Sequence, residues 1–193
     1  WKEIRDKIEL IRAKLTRDDY KQIFEHFCQV FFHEGFEEYW QGLLSTSDDK
    51  LIAHTDAQET NILLLKPTPF YKDNINVTII DYEFTTLVNR TWDLANYYTE
   101  TMLSNCEYEQ YPWVELFENN KMEYYEINMM IDYYIEAVKK YDDSIQLNKS
   151  QLLKEVKNMA IAINYYWGAW AMVSIDINSI NEDDLFFPAA MHR

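Results

Sequence analysis

The sequence predicts an α+β protein that is mostly helical, with a small group of strands around one polar loop. Apolar residues recur at helical spacing towards both ends of the chain, so helices should occupy most of it. Between residues 51 and 84 the pattern changes to short apolar runs bounded by turn residues, which is typical of strands. The length of 193 residues suits one domain with a substantial core.

The first 44 residues are predicted to form three helices. Residues 1–15 place isoleucine and leucine near helical spacing with charges between them, which indicates an amphipathic helix. The capping cluster Thr16-Arg17-Asp18-Asp19 precedes a phenylalanine-rich second helix over residues 20–32. Residues 36–44 are predicted to form a third, short helix.

The middle of the chain is predicted to contain strands separated by polar segments. Apolar runs at residues 51–53 and 62–65 flank the polar segment 54–61, and a third run covers residues 77–80. Lys66-Pro67-Thr68-Pro69 cannot continue a strand, because proline has no backbone N–H, so it marks a loop.

The second half of the chain is predicted to return to helix. Helices are expected over residues 91–102, 121–141 and 148–177, with a short one in the tail over residues 181–187. The apolar run 159–175 is short for a membrane span and is interrupted by polar residues, so it indicates a buried core helix.

Composition excludes several kinds of partner. The net charge of −15 argues against nucleic acid and anionic membranes, which need a basic surface, and it would attract a small cationic substrate. Two cysteines, Cys28 and Cys106, form no disulfide framework, so reduced thiols are expected. The first residues show no signal-peptide pattern, and a cytoplasmic protein is therefore predicted.

The polar segment carries the pattern H-x-D-x-x-x-x-N, formed by His54, Asp56 and Asn61, and Asp81 follows the next apolar run. Phosphoryl transfer from Mg-ATP needs one Asp to accept the proton of the attacking hydroxyl, and an Asn and a second Asp to hold the metal. The five-residue step from Asp56 to Asn61 lets a short loop present both side chains to one small volume. The pattern indicates a kinase-like catalytic loop; the alternative is a capped turn followed by a strand.

Other kinase signatures are absent from the sequence. The three glycines, Gly35, Gly42 and Gly168, are scattered, so there is no glycine-rich phosphate loop, and no V-A-I-K-like strand supplies a lysine. No Arg follows His54, and there is no A-P-E segment. These absences count against a protein kinase and favour a kinase of small molecules.

Five segments, in the same order, resemble segments of choline kinases. Residues 54–61 resemble H-N-D-x-Q-E-x-N, residues 79–84 resemble the I-D-F-E-Y segment, and the others lie at residues 89–100, 111–113 and 166–173. Thr in place of the usual Asn at the second position, Ala at the fourth and a Pro-rich insertion are departures. The resemblance implies that residues 1–193 are the C-terminal lobe of a kinase-like fold, and that the N-terminal nucleotide lobe is absent from this sequence.

The resemblance also implies roles for the loop residues. Asp56 would be the catalytic base, and His54 would support the loop by hydrogen bonding. Asn61 and Asp81 would coordinate Mg²⁺. The same comparison puts Gln58 beside the nucleotide, ATP.

The helix predicted over residues 91–102 carries two further polar residues, Asp93 and Asn96. We interpret both as structural. They are expected to brace the catalytic loop from the helix that follows it.

A substrate site is expected around two tryptophans. Trp167 and Trp170 are three residues apart on one helix, so they share a face and their rings can stand side by side. A quaternary ammonium has no N–H to donate and is recognised by aromatic faces and a nearby carboxylate. The resemblance supplies Glu100 as that carboxylate and Phe187 where the family usually has a Tyr. Spacing alone favours a buried core stripe, and the resemblance reverses that interpretation.

The resemblance implies a choline kinase, which converts ATP and choline to phosphocholine in the first step of the CDP-choline route to phosphatidylcholine. Ethanolamine kinase, or activity on both amines, is the close alternative. The Gln58-Glu59 pair resembles the choline branch, and two tryptophans suit a methylated ammonium better than a primary amine. A non-catalytic lobe that binds a partner chain is an alternative of another class, and retention of the motif argues against it. A homodimer is also expected.

Overall fold

The computed structural model describes residues 2–45, 49–65, 76–105, 114–116, 122 and 124–174. They form two compact units. The first contains the described residues of ranges 1–45, 104–116 and 161–193, and the second those of ranges 46–103 and 117–160.

The described part of the chain is mostly helical, as predicted. Its α-helices are α1 (Lys2–Lys14), α2 (Asp18–Phe31), α3 (Phe36–Leu44), α4 (Trp92–Glu100), α5 (Tyr124–Tyr141) and α6 (Lys149–Ser174). All six predicted helices of residues 1–177 are confirmed within a few residues at each end. The helix expected over residues 181–187 lies outside the described residues. No helix in the described ranges combines the length and the apolar character that a membrane crossing requires.

The prediction that Thr16-Arg17-Asp18-Asp19 caps α2 through its side chains is wrong. The N-cap residue is Arg17, which makes no side-chain cap hydrogen bond, and Asp18 and Asp19 lie in the first turn of the helix. There the carboxylates face the positive end of the helix dipole, which stabilises the helix without a cap. The Arg17 guanidinium donates to Asp19 and holds the pKa of that carboxyl below its usual value.

The first unit has an apolar core between α1 and α2. Its buried members are Ile8, Ile11, Leu15, Phe24, Phe27 and Cys28. Burial raises the pKa of the Cys28 thiol to about 11, since the charged thiolate is poorly solvated there. Cys28 is a free thiol, as expected, and Cys106 lies outside the described residues.

Aromatic contacts connect α6 with α2 and α3 within the first unit. The ring of Tyr165 lies 4.8 Å from that of Phe31 and 4.6 Å from that of Phe36, between centroids. Trp40 of α3 donates its indole N–H to the carbonyl of Ala162 at 3.1 Å. These contacts hold the part of α6 from residue 161 onwards against α2 and α3 of the first unit.

The strands are short and pair as antiparallel two-stranded sheets. They are β1 (Lys50–Ala53), β2 (Ile62–Leu65), β3 (Asn76–Ile79), β4 (Thr86–Asn89), β5 (Leu103–Asn105) and β6 (Val114–Leu116). In the second unit β1 pairs with β4, and β2 pairs with β3. The sequence predicted β1, β2 and β3 from their apolar runs but missed β4, β5 and β6, in which apolar and polar residues are mixed over three or four positions.

A charged network anchors β4 to α6 within the second unit. Arg90, just after β4, contacts Asp49 at 2.5 Å and Glu155 of α6 at 3.1 Å. Glu155 is only 3% exposed, and a buried carboxylate of this kind is tolerated because a guanidinium pairs with it. The end of β4, and β1 paired with it, are thereby held against α6.

Candidate active site

The polar segment between β1 and β2 forms a buried loop. Its His54, Asp56 and Asn61 side chains are all at most 9% exposed. Polar groups buried to this extent need hydrogen-bond partners, and each of the three has them. The loop predicted from the motif is therefore a defined structure that collects these side chains.

The carboxylate of Asp56 is held by two amide groups. Its Oδ2 accepts hydrogen bonds from Asn61 Nδ2 at 3.1 Å and from Gln58 Nε2 at 3.1 Å. Asn61 Nδ2 also donates to the Asp56 carbonyl at 3.0 Å, which closes the loop on itself. Both amide donors fall on the same oxygen, so Oδ1 remains able to accept a hydrogen bond from a hydroxyl group.

The imidazole of His54 connects the loop to the strand that precedes Asp81. Its Nε2 lies 2.7 Å from the carbonyl of Ile80, and its Nδ1 accepts the backbone N–H of Asp56 at 3.3 Å. Together the two contacts require the tautomer with the proton on Nε2. His54 thus holds the backbone beside Asp56 and the backbone beside Asp81 at the same time.

Asp81 is exposed and adopts a left-handed backbone conformation, with φ of 66°. The residue before it, Ile80, donates its N–H to the Asn61 carbonyl at 3.0 Å and receives the His54 contact. His54 and Asn61 therefore both bind the backbone of Ile80, the residue that precedes Asp81. This places the Asp81 backbone directly beside the loop.

Helix α4 braces the loop from behind, as predicted for Asp93 and Asn96. The Asp93 carboxylate accepts the backbone N–H groups of His54 at 2.9 Å and Thr55 at 2.8 Å. Asn96 Nδ2 donates to the carbonyl of Ala57 at 3.1 Å. Backbone groups that the loop cannot pair internally are satisfied by the helix that follows it.

Sequence reasoning missed two members of this arrangement. Trp92 is 4% exposed and donates its indole N–H to the Thr55 carbonyl at 3.1 Å. Thr55 has a positive φ of 68°, which β-branched residues rarely adopt. The replacement of the family's usual Asn at this position was the available signal, because Asn is enriched in this conformation.

The donor set next to Asp56 suits Mg²⁺, which prefers oxygen ligands and retains several waters. Asn61 uses its Nδ2 towards Asp56, so its Oδ1 lies on the opposite branch of the amide, and Asp81 offers an exposed carboxylate. In the described ranges no three His, Cys, Asp or Glu side chains are grouped to hold a metal. An Asn and one Asp, completed by phosphate oxygens and water, do not require such a group.

The two tryptophans of α6 contact each other in the first unit. Their ring centroids are 5.7 Å apart at an interplanar angle of 81°, so the rings meet edge to face and not side by side. Trp167 is 7% exposed, whereas Trp170 is 44% exposed. Glu100, at the end of α4, is partly buried and belongs to the second unit, and Phe187 lies outside the described residues.

The fold is similar to that of two solved kinases. One is an ethanolamine kinase from Plasmodium vivax, with a TM-score of 0.63 and 18% identity; the match covers 100% of this chain and 46% of that one. The other is a choline kinase from Cryptosporidium parvum, with a TM-score of 0.56 and 19% identity, covering 98% of this chain and 52% of that one. The α+β architecture is therefore a kinase-like fold.

The family follows from the sequence as a whole. The family model for choline/ethanolamine kinases matches residues 1–193, so the chain belongs to this family. Mouse choline kinase alpha is 25% identical over 177 residues, which are 89% of this chain and 39% of that protein. The chain thus spans well under half the length of this relative.

Proposed function

We propose that the protein of which this chain forms the substrate-binding lobe phosphorylates choline with ATP, giving phosphocholine. Residues 1–193 would be the C-terminal lobe of the kinase, and an N-terminal lobe would contribute the rest of the nucleotide site. The observation that carries the proposal is the Asp56 carboxylate, held on Oδ2 by two amides inside a loop braced by α4. The family match over the whole chain supports it.

The chemistry follows from the one oxygen that the amides leave open. The hydroxyl of choline would donate its hydrogen bond to Asp56 Oδ1, which points an oxygen lone pair at the γ-phosphorus of ATP. As the new O–P bond forms, the bond from the γ-phosphorus to the leaving ADP oxygen breaks, and the hydroxyl proton passes to Asp56. Orientation by a rigid loop is the main contribution of the protein to such a transfer.

The remaining loop residues would serve the nucleotide. Asn61 Oδ1 and the Asp81 carboxylate would hold Mg²⁺, which supplies charge neutralisation on the phosphates. Gln58 would contact ATP through Oε1, since its Nε2 is used by Asp56. His54 would hold Asp56 and Asp81 at a fixed separation through its contacts with the Asp56 N–H and the Ile80 carbonyl.

Choline recognition is assigned to Trp167, Trp170, Glu100 and Phe187. Trp170 is 44% exposed and meets buried Trp167 edge to face, and its ring would bind a quaternary ammonium by a cation–π contact. The family resemblance is the only support for Glu100 as the counter-charge and for Phe187 as a further aromatic residue. A primary ammonium would instead need hydrogen-bond acceptors, which is why choline is preferred in this proposal.

Phosphorus NMR of the purified protein with Mg-ATP tests the activity, with choline and ethanolamine offered separately. We expect a phosphocholine signal that falls about 100-fold or more in Asp56→Asn, because the base is lost while the amide keeps the shape of the side chain. Asp6→Asn, the same change at an exposed position of α1, is the matched control and should leave the rate unchanged.

The other outcomes separate the alternatives. A stronger phosphoethanolamine signal would assign the protein to ethanolamine, and equal signals would indicate activity on both amines. A folded protein that yields no product with either amine would contradict the kinase proposal and favour a non-catalytic lobe that binds a partner chain. The homodimer stays a prediction of the resemblance, and the cytoplasmic location stays a prediction of the sequence.

A further inference from the structure

Two non-glycine residues in the described ranges have positive φ, and both lie at this site. They are Thr55, at 68°, and Asp81, at 66°. A β-branched residue in the left-handed region is strained, because its side chain crowds the backbone. Such strain persists only where the surroundings determine the conformation, and it concentrates at functional sites.

Hydrogen bonds to the N–H, carbonyl and hydroxyl groups of Thr55 hold its backbone conformation. Its N–H donates to Asp93 Oδ1 at 2.8 Å, and its carbonyl accepts from Trp92 Nε1 at 3.1 Å. Its hydroxyl donates to the carbonyl of Phe84 at 2.6 Å. The residue is 5% exposed, so water does not compete for these groups. The bonds to Asp93 and Trp92 attach the loop to α4, whereas the hydroxyl bond attaches it to Phe84.

Phe84 ends the 3₁₀ turn Tyr82–Phe84, which begins directly after Asp81. The segment that enters Asp81 is held at Ile80 by the contacts of His54 and Asn61. The Thr55 hydroxyl holds the segment that leaves it. Hydrogen bonds to the loop that carries Asp56 therefore hold the chain on both sides of Asp81. Asp81 itself is exposed and has a positive φ.

We propose that the Thr55 hydroxyl is a positioning group that couples the loop of Asp56 to the turn of Asp81. Without this bond the turn would keep the ring contact of Tyr82 with His54 and the pairing of Thr86 with Ala53, but it would lose its hydrogen bond to the loop at Phe84. The distance between Asp56 and Asp81 would then vary. The catalytic consequence rests on the proposed function, whereas the coupling itself does not. Glycine or Asn would fit the backbone with less strain, so the use of Thr here is explained by its hydroxyl.

Three variants separate the hydroxyl from the other properties of Thr55. Thr55→Val keeps the shape and removes the hydroxyl, and Thr55→Ser keeps the hydroxyl and removes the branch. Thr55→Gly removes the hydroxyl together with the backbone strain, so it tests the coupling even if the valine variant fails to fold. Thr101→Val is the matched control, because Thr101 makes a similar hydroxyl-to-carbonyl bond at 2.7 Å to Tyr98.

Amide hydrogen exchange, followed by mass spectrometry without substrates, is the first measurement. We expect faster exchange of residues 82–85 in the valine and glycine variants, and exchange like that of the original protein in the serine and Thr101 variants. Unchanged exchange of residues 82–85 in the glycine variant would overturn the proposal. This result does not depend on activity, so it stands even if the protein proves not to be a kinase.

Kinetics are the second measurement. The valine and glycine variants should lower kcat about tenfold or more and raise the Mg²⁺ concentration at half-maximal rate, because a misplacement at the site is costly. The KM for choline should stay within about twofold, and the serine variant should restore kcat. A fall in kcat that serine fails to restore, or an unchanged Mg²⁺ dependence, would assign Thr55 a purely structural role.

Discussion

At the residue scale, the site depends on backbone groups of the loop that are paired with side chains of α4. The carboxylate of Asp93 accepts two N–H groups from adjacent residues of the loop, His54 and Thr55, one on each oxygen. This double acceptance fixes the peptide plane between them. The orientation of Asp56, the next residue, is a direct result.

Asp93→Asn tests this dependence. The amide keeps one acceptor but turns an NH₂ group towards the second N–H, so a buried donor loses its partner. We expect the free energy of unfolding to fall by about 1–3 kcal/mol and kcat to fall about 100-fold through displacement of Asp56. Thermal denaturation and steady-state kinetics measure the two effects.

Asp143→Asn is the control for this substitution, since Asp143 is exposed in the segment between α5 and α6. It should change neither quantity. If Asp93→Asn lowered stability with kcat intact, the hydrogen bonds of Asp93 would not set the position of Asp56.

The sequence could predict Asp93 and Asn96 as braces because they lie in a segment that resembles a known one at fixed spacing. It could not predict the Trp92 bond to Thr55, since an indole near a helix N-terminus looks like any core residue. The positive φ of Asp81 could not be predicted from the sequence either. Conformations of this kind are set by hydrogen bonds between residues far apart in sequence, here residues 55 and 84.

At the element scale, helices were predictable and strand partners were not. The helices show their apolar periodicity over many residues, and α3 begins and ends at the predicted residues 36 and 44. Strand β4 has four residues, and its pairing with β1 joins segments 33 or more residues apart, for example Ala53 and Thr86. A short strand of this kind is defined by its partner and carries no pattern of its own.

Helix α6 offers a prediction about stability. A Cβ placed on Gly168 would lie 3.5 Å from the Phe31 ring, which is an ordinary contact. Gly168→Ala should therefore raise the free energy of unfolding by about 0.5–1 kcal/mol, since alanine loses less backbone entropy in a helix. A rise of about 2–3 °C in Tm by calorimetry is expected.

Gly42→Ala is the matched control in α3, where an added Cβ would meet nothing within 4 Å. It should gain a similar amount from helix propensity alone. A lower Tm for the Gly168 variant beside a higher one for the Gly42 variant would show that Phe31 packs too tightly to accept a methyl group.

At the scale of the whole molecule, the dominant property is the net charge of −15. A field of this sign concentrates cations at the surface and is screened by salt within about 8–10 Å at moderate ionic strength. Choline, the proposed substrate, carries a permanent positive charge, so a negative field would assist its binding.

Salt dependence tests this effect. With Mg-ATP saturating, kcat/KM for choline should fall about threefold or more as ionic strength rises from about 0.02 to 0.3 M. The neutral carbon isostere of choline, 3,3-dimethyl-1-butanol, is the control substrate and should show little change. Equal sensitivity of the two alcohols would show that salt acts on the protein and not on substrate capture.

The hold of α4 on the loop has a consequence for how this site can evolve. Asn96 of α4 donates a hydrogen bond to the backbone carbonyl of Ala57. Every amino acid has such a group. This hydrogen bond therefore does not require a particular side chain at residue 57. Ala57 is next to Asp56, the proposed base, so substitutions at residue 57 can change the groups beside Asp56 while the hydrogen bonds of Asp93 to His54 and Thr55 are retained.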